Sequence, residues 1–110
     1  MMTNNFRFHG STVIGFKICS GEFILELEDV VYQESKIGTH LAVQDISRIM
    51  IDSKPVKTVS MVTSDGEILS MDMSESGFSA LIEWNDFEAS TSVTHSYEVQ
   101  GSKVNITIAR

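Results

Sequence analysis

Proline, cysteine and tryptophan each occur once in these 110 residues, and eight basic side chains face fifteen acidic ones. The lone Cys19 excludes an intramolecular disulfide and fits a reducing compartment. Its expected environment is buried, because a reactive thiol needs a base and positive surroundings that this acidic stretch lacks. No apolar run is long: Phe23-Ile24-Leu25 stops at Glu26, and Ile49-Met50-Ile51 stops at Asp52. Both fall far short of the roughly 20 residues of a membrane helix. Met1-Met2-Thr3-Asn4-Asn5 carries neither a positive n-region nor an apolar h-region, so no signal peptide is expected and a cytoplasmic setting is. The basic residues are scattered and the net charge is −7, which argues against a nucleic-acid surface. Solubility accounts for such an excess, and it would also favour a basic partner.

What the chain does have is strand-forming residues punctuated by single glycines, with 42% hydrophobic content in a length suited to one domain, 1–110. Ser11 to Cys19 alternates, with Ile14, Phe16 and Ile18 on one face and Val13, Gly15 and Lys17 on the other. Ser20-Gly21 turns the chain into Glu22 to Tyr32, where Phe23, Leu25 and Leu27 oppose Ile24, Glu26 and Glu28. Lys57 to Thr63 and Glu67 to Met73 flank Ser64-Asp65-Gly66, and Asp-Gly is a preferred type I′ hairpin dipeptide. Phe78 to Phe87 follows, then Thr91 to Gln100 and, past Gly101-Ser102, Lys103 to Ala109. Val93, His95, Tyr97 and Val99 share a face, as do Val104, Ile106 and Ile108. Pro55, after Asp52-Ser53-Lys54, marks a turn that few central strands would contain. The expected fold is mostly β, an antiparallel meander forming a barrel or a sandwich. Residues 39–51 read as two strand pieces broken near Gln44-Asp45. The same residues also carry a helical stripe, so one short helix around 40–51, capped by Thr39, stays open.

Chemistry-bearing residues are sparse. His9, His40 and His95 show no chelating spacing, and His95 between Val93 and Tyr97 reads as an inward, hydrogen-bonded ring. Glu26, Glu28 and Asp29 form one acidic cluster, and Glu83, Asp86 and Glu88 another; both read as solvated faces. Asp65 and Glu67 lack the further ligands of a calcium loop. No Gly-x-Ser-x-Gly elbow and no glycine-rich phosphate loop is present. No cofactor and no metal are therefore expected. Trp84, His95 and Tyr97 fall where an antiparallel pair would turn them toward one interior, as core or as the border of a small pocket.

Phe8-His9-Gly10-Ser11, followed by the run Gly21 to Glu28, resembles the opening of small acidic immunity-type domains from bacterial toxin–antidote loci. Ile82-Glu83-Trp84 and Tyr97-Glu98-Val99 are similar to that group too, as they are to small proteins of mobile gene cassettes. An aspartate is usual where this chain has Gly10, so no role of that acid carries over. The resemblance implies a β-rich, non-enzymatic binder whose acidic surface meets a partner protein.

The expected function is accordingly a protein-binding module, not an enzyme, with Glu26, Glu28 and Asp29 as the contact face. A homodimer is expected as well, because an unclosed meander must cover its edges. A small-molecule binder with a pocket at Trp84, His95 and Tyr97 is the alternative. An enzyme using His95 as general base, oriented by a nearby carboxylate, comes third.

Overall fold

Three tight turns with left-handed backbone set the frame. Ser20-Gly21, Gln33-Glu34 and Asp52-Ser53 all have φ between 49° and 79° at both positions. This is the mirror-image turn whose twist matches that of the strands it joins. In the computed structural model, which describes residues 6–109, they connect β2 (Thr12–Cys19) to β3 (Glu22–Tyr32), β3 to β4 (Ser35–Gln44), and β5 (Arg48–Ile51) to β6 (Lys54–Val56). The remaining strands are β1 (Phe6–Arg7), β7 (Gly66–Met73), β8 (Gly77–Asp86), β9 (Thr91–Gln100) and β10 (Lys103–Ala109). Met1 to Asn5, where a signal peptide was discounted, lie outside the described residues. Among those described, all regular structure is strand and all pairing is antiparallel.

The strand order is β10-β4-β3-β2-β7-β8-β9-β5-β6, with β1 on the side against β3. Two meanders, β2-β3-β4 and β7-β8-β9, form the bulk of the sheet. The expected simple meander fails where the chain runs from β4 to β5, from β6 to β7 and from β9 to β10. None of these pairs is adjacent; β10 pairs with β4, β5 with β9 and β7 with β2. Lys103 lies opposite Gln44 and Arg48 opposite Gln100, so two long bent segments cross side by side. Ser102 N–H donates to Gln44 O and Ser47 N–H to Gln100 O, both at 2.8 Å. The ends of the sheet are thereby tied through the chain itself. Among the described residues no ladder joins β10 to β6, and the sheet is not closed.

Residues 39–51 are two strands and not a helix. Asp45 (φ 50°) makes the break between them, and β-branched residues on both sides extend into ladders. The expected Asp65-Gly66 hairpin does not form. Lys57 to Thr63 is irregular, and Gly66 opens β7 opposite Trp84. A Cβ at Gly66 would lie 2.6 Å from Trp84 Cζ3. Gly66 is there to let an indole ring pass, not to bend the chain. In β2 the expected faces are also altered. The register shifts between Val13 and Gly15, so Val13 and Phe16 are buried while Ile14 is half exposed. Pro55 sits on β6, the end strand of the path, where its missing N–H costs no ladder bond.

One apolar cluster lies inside the coiled sheet, fed by both meanders. Phe16 is its hub, edge-on to Phe23 at 5.0 Å, Tyr97 at 5.1 Å and Trp84 at 5.8 Å between ring centres. Such T-shaped pairs bring positive ring edges to negative faces.

Candidate functional sites

Two neighbouring bulges build the acidic site. On β2, Ile14 is an extra residue between Val13 and Gly15, which pair with Leu27 and Glu26. On β3, Glu28 and Asp29 lie between Leu27 and Val30, where β4 spends only Gly38. Asp29 takes φ 61° to absorb the surplus. A bulge re-aims side chains while keeping the flanking residues in the core, and here Leu27 and Val30 stay buried. The result is a surface hollow of about 440 Å³ bordered by Ile14, Glu26, Glu28, Asp29 and Lys36. Glu26 lies over Gly15, whose missing Cβ would come within 2.2 Å of Glu26 Oε1. His40 Nδ1 stands 3.9 Å from Glu26 Oε2. All three acids expected at the contact face therefore border one hollow. Glu26 is half-buried, whereas Glu28 and Asp29 are exposed.

Trp84, His95 and Tyr97 divide differently. Trp84 and Tyr97 are core residues with 0% and 1% exposure, and Trp84 Nε1–H donates to Tyr97 Oη at 2.8 Å. Burial first, and then the Asp52 charge, hold the Tyr97 hydroxyl above the usual phenol range; the Trp84 bond pulls the other way. Tyr97 and His95 border a pocket of about 280 Å³ with Ile51, Thr58, Val59, Ser60 and Val62, and Trp84 does not reach it.

His95 is oriented by a residue that the sequence did not single out for it. Asp52, in the β5–β6 turn, has Oδ2 2.6 Å from His95 Nδ1 and accepts the Ser96 N–H on Oδ1 at 2.9 Å. The Ser96 N–H, then the His95 bond, hold the Asp52 carboxyl below its usual value of 3.8. A carboxylate with a depressed folded pKa stabilises the fold above its unfolded pKa, and that contribution is lost as pH falls through the folded value. Asp52→Asn should therefore melt at a lower temperature than wild type at pH 7. The gap from wild type should narrow below pH 4, as the wild-type carboxyl takes up its proton. Thermal melts across that range check it; a gap independent of pH would show that the Asp52 charge is not what matters.

A third concavity lies along β10. A cleft of about 730 Å³ takes apolar lining from Phe6, Tyr32, Met73, Val104, Ile106 and Ile108, with polar residues of the Ser74–Glu75 turn and of β10 between them. Ahead of β2, two bonds hold the Phe8–Ser11 turn: Ser11 Oγ donates to Phe8 O, and Gly10 N–H to Ile68 O. Gly10 has φ 86°, backbone that an aspartate would accept less readily. Cys19, expected to be buried, is exposed at the end of β2, because its strand ends in the Ser20-Gly21 turn. Among the described residues, no three His, Cys, Asp or Glu side chains gather as a metal site. No helix long and apolar enough to cross a membrane is present among them.

No protein-family model matches this chain, and no curated protein or solved structure is found to be similar to it.

Proposed function

We propose that the chain is a non-enzymatic protein-binding module, immunity-like in character and cytoplasmic, whose contact face is the double-bulge hollow. The observation that carries this reading is the convergence of Ile14, 50% exposed, with Glu28 and Asp29 at adjacent bulges. Two bulges side by side interrupt regular pairing and turn an apolar side chain and two carboxylates outward together. The matching partner surface is basic, with a small apolar side chain to cover Ile14. Charge complementarity of this kind mainly speeds encounter and selects the partner. The exposed thiol of Cys19 fits the reducing setting.

Affinity capture from a host lysate, with charge-matched variants, tests the reading. Glu28→Lys/Asp29→Lys should retain a basic partner roughly tenfold less or worse, the scale on which close charge pairs are measured. Asp86→Lys/Glu88→Lys changes the net charge equally on exposed residues away from the hollow and should bind as wild type does, with affinity falling as salt rises. Equal retention by both variants would sink the acidic face.

A second reading, a small-molecule site, is favoured by one observation: His95, held by Asp52, borders a pocket of about 280 Å³. A compound set that binds wild type, but not His95→Ala, at unchanged Glu28 and Asp29 would move the assignment there.

A further inference from the structure

The edges of this sheet are treated unequally. β6 is three residues long and carries Pro55 beside Lys54, and β1 is two residues long; short strands, proline and lysine are ordinary protections of an edge. β10 has seven residues, Lys103-Val104-Asn105-Ile106-Thr107-Ile108-Ala109, with no proline, no acid and no register shift.

Which backbone groups of β10 are free follows from one bond. Val104 N–H donates to Glu75 O at 2.9 Å, away from β4. In an antiparallel ladder both polar groups of a residue point to the same side, and sides alternate. The regular register therefore turns Asn105, Thr107 and Ala109 toward β4, and Ile106 and Ile108 outward. The turn carrying Glu75 covers the edge at Val104. Among the described residues, no strand pairs with Ile106 and Ile108 on their outer side.

We propose that a second copy of this chain occupies that edge, by antiparallel pairing of β10 with β10 about a two-fold axis at Thr107. The register is set by the free groups. Ile106 then meets Ile108 of the other copy and Ile108 meets its Ile106, so the outward N–H and C=O groups of both residues are all used. Val104, already covered, is not needed. Thr107 falls opposite its own counterpart in a non-hydrogen-bonded pair, with Cα atoms about 4.5 Å apart, and Thr–Thr is a favourable cross-strand pair. Ile106 and Ile108 of the two copies lie on one face and extend the apolar lining of the cleft beside Phe6 and Tyr32. Ile106-Thr107-Ile108 reads the same in both directions, so a two-fold at Thr107 pairs like with like. β10 also has no acidic side chain to add to the repulsion between chains of net charge −7. The proposal is independent of the acidic hollow on β2 and β3.

Thr107 and Asn105 test it without disturbing the core, since Thr107 is exposed and Asn105 shares its face. In a Cys19→Ser background, Thr107→Cys should oxidise to a disulfide-linked dimer of twice 12.2 kDa, because a Cα spacing of about 4.5 Å is within disulfide range. Asn105→Cys, displaced from the axis, should cross-link far more slowly. Thr107→Lys places like charges opposite each other and should weaken dimerisation roughly tenfold in sedimentation equilibrium, with an unchanged strand spectrum. A monomeric wild type overturns the proposal, including one whose β10 edge takes a foreign strand. So does a dimer that cross-links equally through both cysteines or through neither. Loss of partner capture by the Glu28/Asp29 variant with dimerisation intact would separate this surface from the functional one.

Discussion

Trp84→Ala should destabilise the protein by about 3–5 kcal/mol, the range for truncating a large buried aromatic. That is a large share of the roughly 5–15 kcal/mol that holds a typical small domain together. Three consequences add up in this substitution. The indole leaves a cavity at the centre of the cluster, against the edge of Phe16. Gly66, whose lack of a Cβ fits the indole, has no side chain to fill the space. The Tyr97 hydroxyl loses its only hydrogen-bond partner among the described residues, Trp84 Nε1–H. Tyr97→Phe isolates the last term from the other side, leaving a buried indole N–H unpaired at about 1–3 kcal/mol. Because Trp84 is the sole tryptophan, unfolding of these variants is followed by circular dichroism in urea. A loss for Trp84→Ala no greater than for Tyr97→Phe would mean that the ring contributes little beyond its hydrogen bond.

That pair also shows what local pattern reveals. Period-two alternation put Phe23, Leu25 and Leu27 on one face of β3 and Val93, His95, Tyr97 and Val99 on one face of β9. The first three, Tyr97 and Val99 are buried. Val93 is 42% exposed and His95 part-exposed, because β9 there has run past β5, which ends opposite Tyr97. Ser20-Gly21 was legible as a turn because glycine accepts positive φ. Gln33-Glu34 makes the same turn with residues that carry no such signature; the strands on either side impose it. Asp65-Gly66 misled for the opposite reason. Its glycine answers to Trp84, eighteen positions later in the chain, and a local rule has no access to that neighbour.

The candidate sites divide along the same line. Glu26, Glu28 and Asp29 were visible as a cluster, but the bulge that opens the strand at Glu28–Asp29 and the one at Ile14 depend on three strands meeting. Plain alternation put Ile14 on the face of Phe16, whereas one extra residue sends it outward. His95 was legible as a hydrogen-bonded ring. Its partner Asp52 read only as part of a turn, since the pairing of β5 with β9 spans more than forty residues. The two crossings, β4 to β5 and β9 to β10, left no mark beyond Asp45 and Gly101, which look like ordinary turn residues in isolation.

Gly101→Ala probes that crossing and should be as severe as a core truncation. A Cβ there would sit 2.2 Å from Gln44 O and 2.8 Å from Val43 Cγ1. Overpacking usually costs about 1–3 kcal/mol because side chains can shift. Here the obstacle is a carbonyl that accepts the Ser102 N–H, so relief requires parting β10 from β4, and the expected loss is at or above that range. Gly38→Ala is the control: the nearest atoms lie at 3.5–3.7 Å, ordinary contact, and φ there is not positive. It should fall within about 1 kcal/mol of wild type, since removing a glycine also stiffens the unfolded chain. Urea titrations of the two variants give the comparison, and amide exchange locates the damage. Protection should be lost first in β10 and the end of β4 for Gly101→Ala. Because Ile106 and Ile108 owe their outward direction to that same ladder, any dimer built on β10 should dissociate before the fold does. If Gly101→Ala matched Gly38→Ala in stability and exchange, the two long segments would not be tied at this point, and the geometry of the β10 edge would lose its support.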